Sequence, residues 1–192
     1  MKELEQVVAR TEQQLRLFQR ISRFMVRNVP LQEVLQGVVT MVVEFMVCDS
    51  CLVYLLDGDE LVLRASNTPH PATLGKVKLT LNEGLTGWVA REHRLLAISR
   101  EAYNDPRFKY FSALPEDSFE AFLSAPVISR RRMEGVINVQ HRNAHAHTGT
   151  EMELLNTVGE QLGSLVMLAR LEKAGVGNQF ALSTVVPGSS EN

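Results

Sequence analysis

Cys51-Leu-Val-Tyr-Leu-Leu56, then Asp57-Gly-Asp-Glu60, then Leu61-Val-Leu-Arg-Ala65 is the stretch that decides the fold class. Two short apolar runs around an Asp-Gly turn form a β-hairpin, so at least part of the sheet is antiparallel. On the C-terminal side, Asn67-Thr-Pro-His-Pro71 reads as a loop and residues 76–81 alternate polar and apolar, as a half-buried strand does. Asn82-Glu-Gly-Leu-Thr-Gly87 turns into a short helix over residues 88–92, with Gly84 and Gly87 expected to make that turn. A brief strand follows at 95–99. Residues 122–129 and 134–141 are two further strands joined by Arg130-Arg-Arg-Met133. Thr148 and Glu151 stand at capping-box spacing and open a long helix to about Lys173, with Leu155, Val158, Leu162, Leu165 and Ala169 on one stripe.

On the N-terminal side, residues 31–46 form a helix whose buried face is Leu31, Val34, Leu35, Val38, Val39, Val42 and Phe45. Before it, residues 3–28 form another, ended by Asn28-Val29-Pro30 because a residue preceding proline avoids the helical region. Leu4, Val8, Thr11, Leu15, Phe18, Ser22 and Met25 alternate steps of four and three along this first helix. Such a stripe packs either on its own domain or on a second copy. Runs of strands bracketed by terminal helices define an α+β fold with an antiparallel sheet.

The chain has 192 residues, 45% of them hydrophobic, with a net charge of -2. That length can bury a core without disulfide or metal staples. The charge balance removes the electrostatic basis for nucleic-acid binding. The longest apolar run, residues 38–47, is interrupted by Thr40 and Glu44 and is far short of the roughly 20 residues of a membrane span. The charged start Met1-Lys-Glu-Leu-Glu-Gln6 has no apolar signal core, and two cysteines cannot form a secreted disulfide framework. A cytoplasmic location is expected, with neither membrane nor nucleic-acid partners.

The search for chemistry returns little. The loop 82–87 lacks the Lys-Ser/Thr of a nucleotide loop. Cys48-Asp-Ser-Cys51 is a C-x-x-C, but it sits at the end of a helix, where the dipole does not favour thiolate, and reads as two semi-buried small residues. His141, His145 and His147 form H-x3-H-x-H without an intervening Asp, Glu or Cys and read as solvated loop histidines. Arg130-Arg-Arg132 reads as a solvated hairpin turn. No catalytic residue, metal site or cofactor is expected. Residues 100–117 are the least regular, with Tyr103, Phe108, Tyr110 and Phe111, and a connection this long and aromatic is rarely passive.

The order of these pieces resembles a GAF domain over about residues 31–169. The matching words are Leu31-Gln-Glu-Val-Leu35, Cys51-Leu-Val-Tyr-Leu-Leu-Asp57, Leu81-Asn-Glu-Gly-Leu-Thr-Gly-Trp-Val-Ala90, Asn104-Asp-Pro-Arg-Phe108, Leu123-Ser-Ala-Pro-Val-Ile128, Glu134-Gly-Val-Ile-Asn-Val139 and Thr148-Gly-Thr-Glu-Met-Glu-Leu-Leu155. Asp105-Pro-Arg-Phe-Lys-Tyr-Phe111 and Ser124-Ala-Pro-Val-Ile-Ser-Arg-Arg-Arg132 are similar in particular to the N-terminal GAF domain of the nitrogen phosphotransferase system enzyme I. The resemblance implies a six-stranded antiparallel sheet, terminal helices on one face, and a ligand pocket with a loop lid on the other. That lid would be residues 100–119. The N-K…F…D-E pattern of cyclic-nucleotide binders is missing, a bilin-binding Cys is not evident, and Cys48 and Cys51 do not match the cysteines of the methionine-sulfoxide reductase branch. The division is then an N-terminal helix at 1–28 for dimerisation, a sensor domain at 29–173 and a flexible tail at 174–192.

Period-2 logic places Val136, Asn138 and Gln140 on one face of the last strand, and the two polar groups mark the face that meets water or ligand. Tyr54 would add a hydroxyl, Trp88, Phe108 and Phe111 walls, and Arg107 a charge for an anion. The expected function is a non-catalytic small-molecule sensor that signals through a homodimer of terminal helices to a separate effector protein, since no effector domain is encoded here. The resemblance to the nitrogen enzyme points to a nitrogen or carbon metabolite such as glutamine or 2-oxoglutarate. The alternatives are a dimerisation module with a vestigial pocket and a small thiol redox enzyme.

Overall fold

The computed structural model describes residues 2–27, 29–67, 74–109 and 119–175. Its centre is the hairpin read from the sequence. Strand β1 (Ser50–Asp57) pairs antiparallel with β2 (Glu60–Ser66), and Gly58 at φ +62 supplies the positive angle that a two-residue hairpin turn requires. Strand β3 (Lys78–Thr80) lies outside β2. On the other side of β1 come β6 (Arg132–His141), β5 (Ala121–Ser129) and β4 (Leu96–Ile98), giving a six-stranded sheet in the order β3-β2-β1-β6-β5-β4. Every pairing is antiparallel, as the α+β reading requires. Pro126 sits inside β5 without cost to the ladder, because β4 pairs only with Phe122 to Ser124 and leaves the rest of β5 an edge.

The two faces separate by strand parity. Cys51, Val53 and Leu55 of β1, Leu123, Ala125 and Val127 of β5, and Ile137 and Val139 of β6 face a layer of helices. That layer is α1 (Lys2–Met25), α2 (Leu31–Met46) and α4 (Gly149–Lys173). Leu52, Tyr54, Leu61, Leu63 and Val136 face the other way, where α3 (Gly84–Glu92) covers part of the sheet with Val89 and Ala90. Thr148 caps α4 with both halves of a capping box, as its spacing to Glu151 predicts.

Three sequence readings are corrected in detail. Helix α3 begins at Gly84 rather than Trp88, so only Gly84, at φ +68, makes the turn. Gly87 lies inside the helix, where a Cβ would stand 2.7 Å from the Thr80 carbonyl oxygen. The stripe on α1 divides. Leu17 and Ile21, which the heptad assigns elsewhere, are the residues buried in the core, while Leu4 and Leu15 remain 70% and 56% exposed. Finally, the Arg130–Arg131 pair forms a tight turn with both residues at positive φ, and Arg132 already belongs to β6. The tail expected to be flexible lies outside the described residues from 176 onward.

Helix α2 ends at Val47 in the left-handed conformation, φ 50 and ψ 43, with its side chain 84% exposed. A β-branched residue is strained there and its side chain has nothing to lose. Val47→Gly is expected to stabilise the chain by about 1 kcal/mol, read as a higher urea midpoint at unchanged slope. A lower midpoint would show that the side chain contributes to packing.

Among the described residues, no helix is long and apolar enough to cross a membrane.

Candidate ligand-binding site

On the face of the sheet away from α1, α2 and α4, the apolar surface is interrupted by a line of polar residues. Ser124 of β5 and Asn138 of β6 are register neighbours, and the Ser124 hydroxyl donates to Asn138 Oδ1 at 2.6 Å. Asn138 Nδ2 donates to Thr86 Oγ1 of α3 at 2.7 Å. This buried chain ties the small helix to the centre of the sheet. It holds the Asn138 side chain in place from both sides, one hydroxyl at its oxygen and the other at its nitrogen. Two residues along β6, Gln140 is 94% buried, and its Oε1 has no hydrogen-bond partner. An unpaired buried acceptor is costly, of order 1–3 kcal/mol, and calls for a donor from water or a ligand.

Thr86, Asn138 and Gln140 line one cavity. Tyr54, Asn138 and Gln140 form its floor, Leu85 and Thr86 one wall, and Phe108 and Lys109 close it from above. Its volume is about 30 Å³, room for a water or two. The roof descends from β4 through a 3₁₀ turn, Ala102–Asn104, held to the start of β5 by Ala102 N–H to Glu120 O at 3.0 Å and by the Tyr103 hydroxyl to Glu120 Oε1 at 3.0 Å.

Of the residues predicted for the site, Tyr54, Phe108, Asn138 and Gln140 come together at the cavity. Trp88 and Arg107 do not line it. The Arg107 guanidinium lies 4.7 Å from the Trp88 ring centroid and makes a two-pronged pair with Asp105, 2.8 Å from Nε and 2.7 Å from Nη2. Its hydrogen bonds hold the Asp105 carboxyl below the ordinary range. The expectation that Arg107 offers its charge to a ligand is therefore corrected: the charge braces the roof. Phe111 and lid residues 110–118 lie outside the described residues. Sequence reasoning missed Thr86, Ser124 and Lys109. Lys109 pairs with Glu83, a contact between segments remote in sequence that no local pattern announces.

The two other candidate centres come out differently. Burial pushes the Cys48 thiol up to about 12 and that of Cys51 well above its usual value, the opposite of an activated redox pair. Neither thiol should react with iodoacetamide at pH 8 until denaturant is added; rapid alkylation of the native chain would reverse this reading. The three histidines correct the expectation of solvated loop residues. His141 is buried on the helix-side parity of β6, and the His145 and His147 rings fold back on it, with centroids 4.1 and 5.5 Å away. Burial lowers His147 to about 4 and also lowers His141.

With the geometry in place, the chain can be set beside known proteins. Residues 30–166 match the model of the GAF domain, so the chain belongs to the GAF domain family. It is 32% identical over 146 residues to the phosphoenolpyruvate-dependent phosphotransferase system protein of Escherichia coli (strain K12), covering 73% of this chain and 19% of that protein. The chain thus spans about a fifth of the length of the curated relatives it matches. The crystal structure of the GAF domain from an Acinetobacter phosphoenolpyruvate-protein phosphotransferase superposes with a TM-score of 0.76 at 28% identity, over 82% of this chain and 94% of that one. A free methionine-R-sulfoxide reductase from Neisseria meningitidis, in complex with its substrate, gives a TM-score of 0.68 at 17% identity over 81% of this chain and 89% of that one, a likeness of fold alone.

Proposed function

We propose that this chain is a small-molecule-sensing, regulatory GAF domain that does no chemistry of its own and signals to a separate partner through a dimer of its terminal helices. The observation that carries the reading is Gln140 Oε1, a buried acceptor without a partner beside the cavity, next to an Asn138 amide held in place by Thr86 and Ser124. Such a wall selects a ligand with N–H or O–H donors. The cations at the roof, Arg107 and Lys109, are already paired with Asp105 and Glu83, so an amide or amine suits this state better than a dicarboxylate. A cavity of about 30 Å³ is the closed form; a metabolite requires the roof to lift, and binding then selects the open population.

The similarity to phosphotransferase GAF domains makes glutamine and 2-oxoglutarate the first probes. A thermal-shift series on the full chain is expected to give a rise of about 5 °C or more at saturating ligand for one of them or for a related amide, by mass action. Gln140→Leu is expected to abolish that rise. The small cavity equally favours a second reading, an interaction module with a vestigial pocket, and a broad metabolite panel without any shift would establish it.

The proposed dimer rests on apolar side chains exposed on α1 and α4, namely Leu4, Val7, Val8 and Leu15 on the first and Leu168 and Leu171 on the second. Leu15→Asp is expected to halve the sedimentation mass, since Leu15 is not part of the chain's own core. An unchanged mass would remove the helical dimer.

A further inference from the structure

His141, His145 and His147 each present a ring nitrogen, and these three nitrogens lie within 4.8 Å of one another. They converge at the end of β6, on the helix-side parity of the sheet and so away from the cavity floor of Asn138 and Gln140. The segment that carries them is held at three points. Arg142 N–H donates to Asp49 Oδ2 at 2.8 Å, His145 N–H to the Ser99 carbonyl at 2.9 Å, and Thr148 N–H to Glu151 Oε2 at 2.6 Å. Backbone anchoring on both sides of the cluster means that the imidazoles are positioned by the fold.

The rings have too few partners of their own. His141 Nε2 and both ring nitrogens of His147 are buried without a hydrogen bond. The three rings stack or tilt against one another rather than meeting N–H to N, so they leave these atoms unpaired. A cation at the centre would use the lone pairs that are left over. His145 is additionally engaged at Nε2 by Glu151 Oε1, 3.0 Å away. A carboxylate in that position either orients a ligating imidazole from behind or adds an oxygen donor.

We infer that the three histidines form a binding site for a divalent transition-metal ion of the zinc, nickel or copper type, with Glu151 as supporting carboxylate. Imidazole donors suit these ions and not calcium or magnesium, which take oxygen ligands. A tetrahedral ion with bonds of about 2.0–2.1 Å needs nitrogens about 3.4 Å apart, so the set closes by at most about 1.4 Å, within reach of side-chain rotation in His145 and His147, both half-buried. The site is distinct from the ligand cavity, and neither depends on the other.

The test is zinc competition against a chromophoric chelator, using the full untagged chain stripped with EDTA. The expected result is one equivalent of Zn²⁺ per chain with a dissociation constant below about 1 µM, together with a raised melting temperature. His145→Ala and His147→Ala are each expected to weaken binding by about 100-fold or more while circular dichroism stays native. The Cys48→Ser/Cys51→Ser variant is expected to bind as the parent does. Affinity weaker than about 100 µM, undiminished binding in the doubly substituted His145→Ala/His147→Ala chain, or loss of binding in the cysteine variant would overturn the site.

Discussion

Gly163→Val is expected to cost the fold about 3 kcal/mol or more and to lower its melting temperature by about 6–12 °C. A Cβ at this position would stand 2.3 Å from the carbonyl oxygen of Ile128 and 2.4 Å from its carbonyl carbon. One turn earlier, a Cβ at Gly159 would meet the Pro126 carbonyl oxygen at 2.4 Å. The obstacles are backbone atoms of β5, so no side chain can swing aside. Helix α4 would have to lift off the strand, thinning the contacts of Leu155, Val158, Leu162 and Val166 with the sheet. Helix propensity alone argues the reverse, since a glycine within a helix is worse than alanine by about 1 kcal/mol. Gly163→Ala therefore separates the two arguments. A stabilised Gly163→Ala chain would mean that α4 does not rest on β5 at this distance.

Asn138→Leu is expected to destabilise by about 3 kcal/mol, for a different reason. The volume changes little, but the Ser124 hydroxyl, fully buried, and that of Thr86 lose their common partner. Each stranded group costs about 1–3 kcal/mol. Replacing all three, as Asn138→Leu with Ser124→Ala and Thr86→Val, is expected to recover most of the loss, because no polar atom is then left unsatisfied. Denaturant midpoints of the single and triple variants measure this. Equal stability of Asn138→Leu and the parent would show that the chain of hydroxyls carries no weight. The repaired triple variant is also expected to lose the ligand-induced thermal shift, which separates the site's role in binding from its role in holding α3.

Local rules made most of the fold legible. The Asp-Gly turn gave the central hairpin, the alternation in residues 136–140 the two faces of β6, and the Thr148–Glu151 spacing the start of α4, because each depends on contacts a few residues apart. The site was legible only in part. Asn138 and Gln140 stood out as polar groups in an apolar strand. Thr86 and Ser124 did not, since a hydroxyl in a helix or strand is unremarkable until the fold sets an amide beside it. Arg107 was read as a free charge because Asp105, two residues away, does not reveal by spacing alone that it will engage two of the three guanidinium nitrogens.

By itself, then, the amino-acid sequence determined the order of the elements, the antiparallel sheet and which face of β6 carries the polar groups. These follow from periodicities of two and about four residues, which the chain carries whatever its surroundings. Tertiary structure alone decided that Leu17 and Ile21 join the core while Leu4, Val8 and Leu15 of the heptad stripe stay exposed, and that Gly159 and Gly163 are contact points. It alone brought three histidines from a strand end and a loop to one place. Those outcomes depend on how closely remote backbones approach, a quantity with no signature in local spacing.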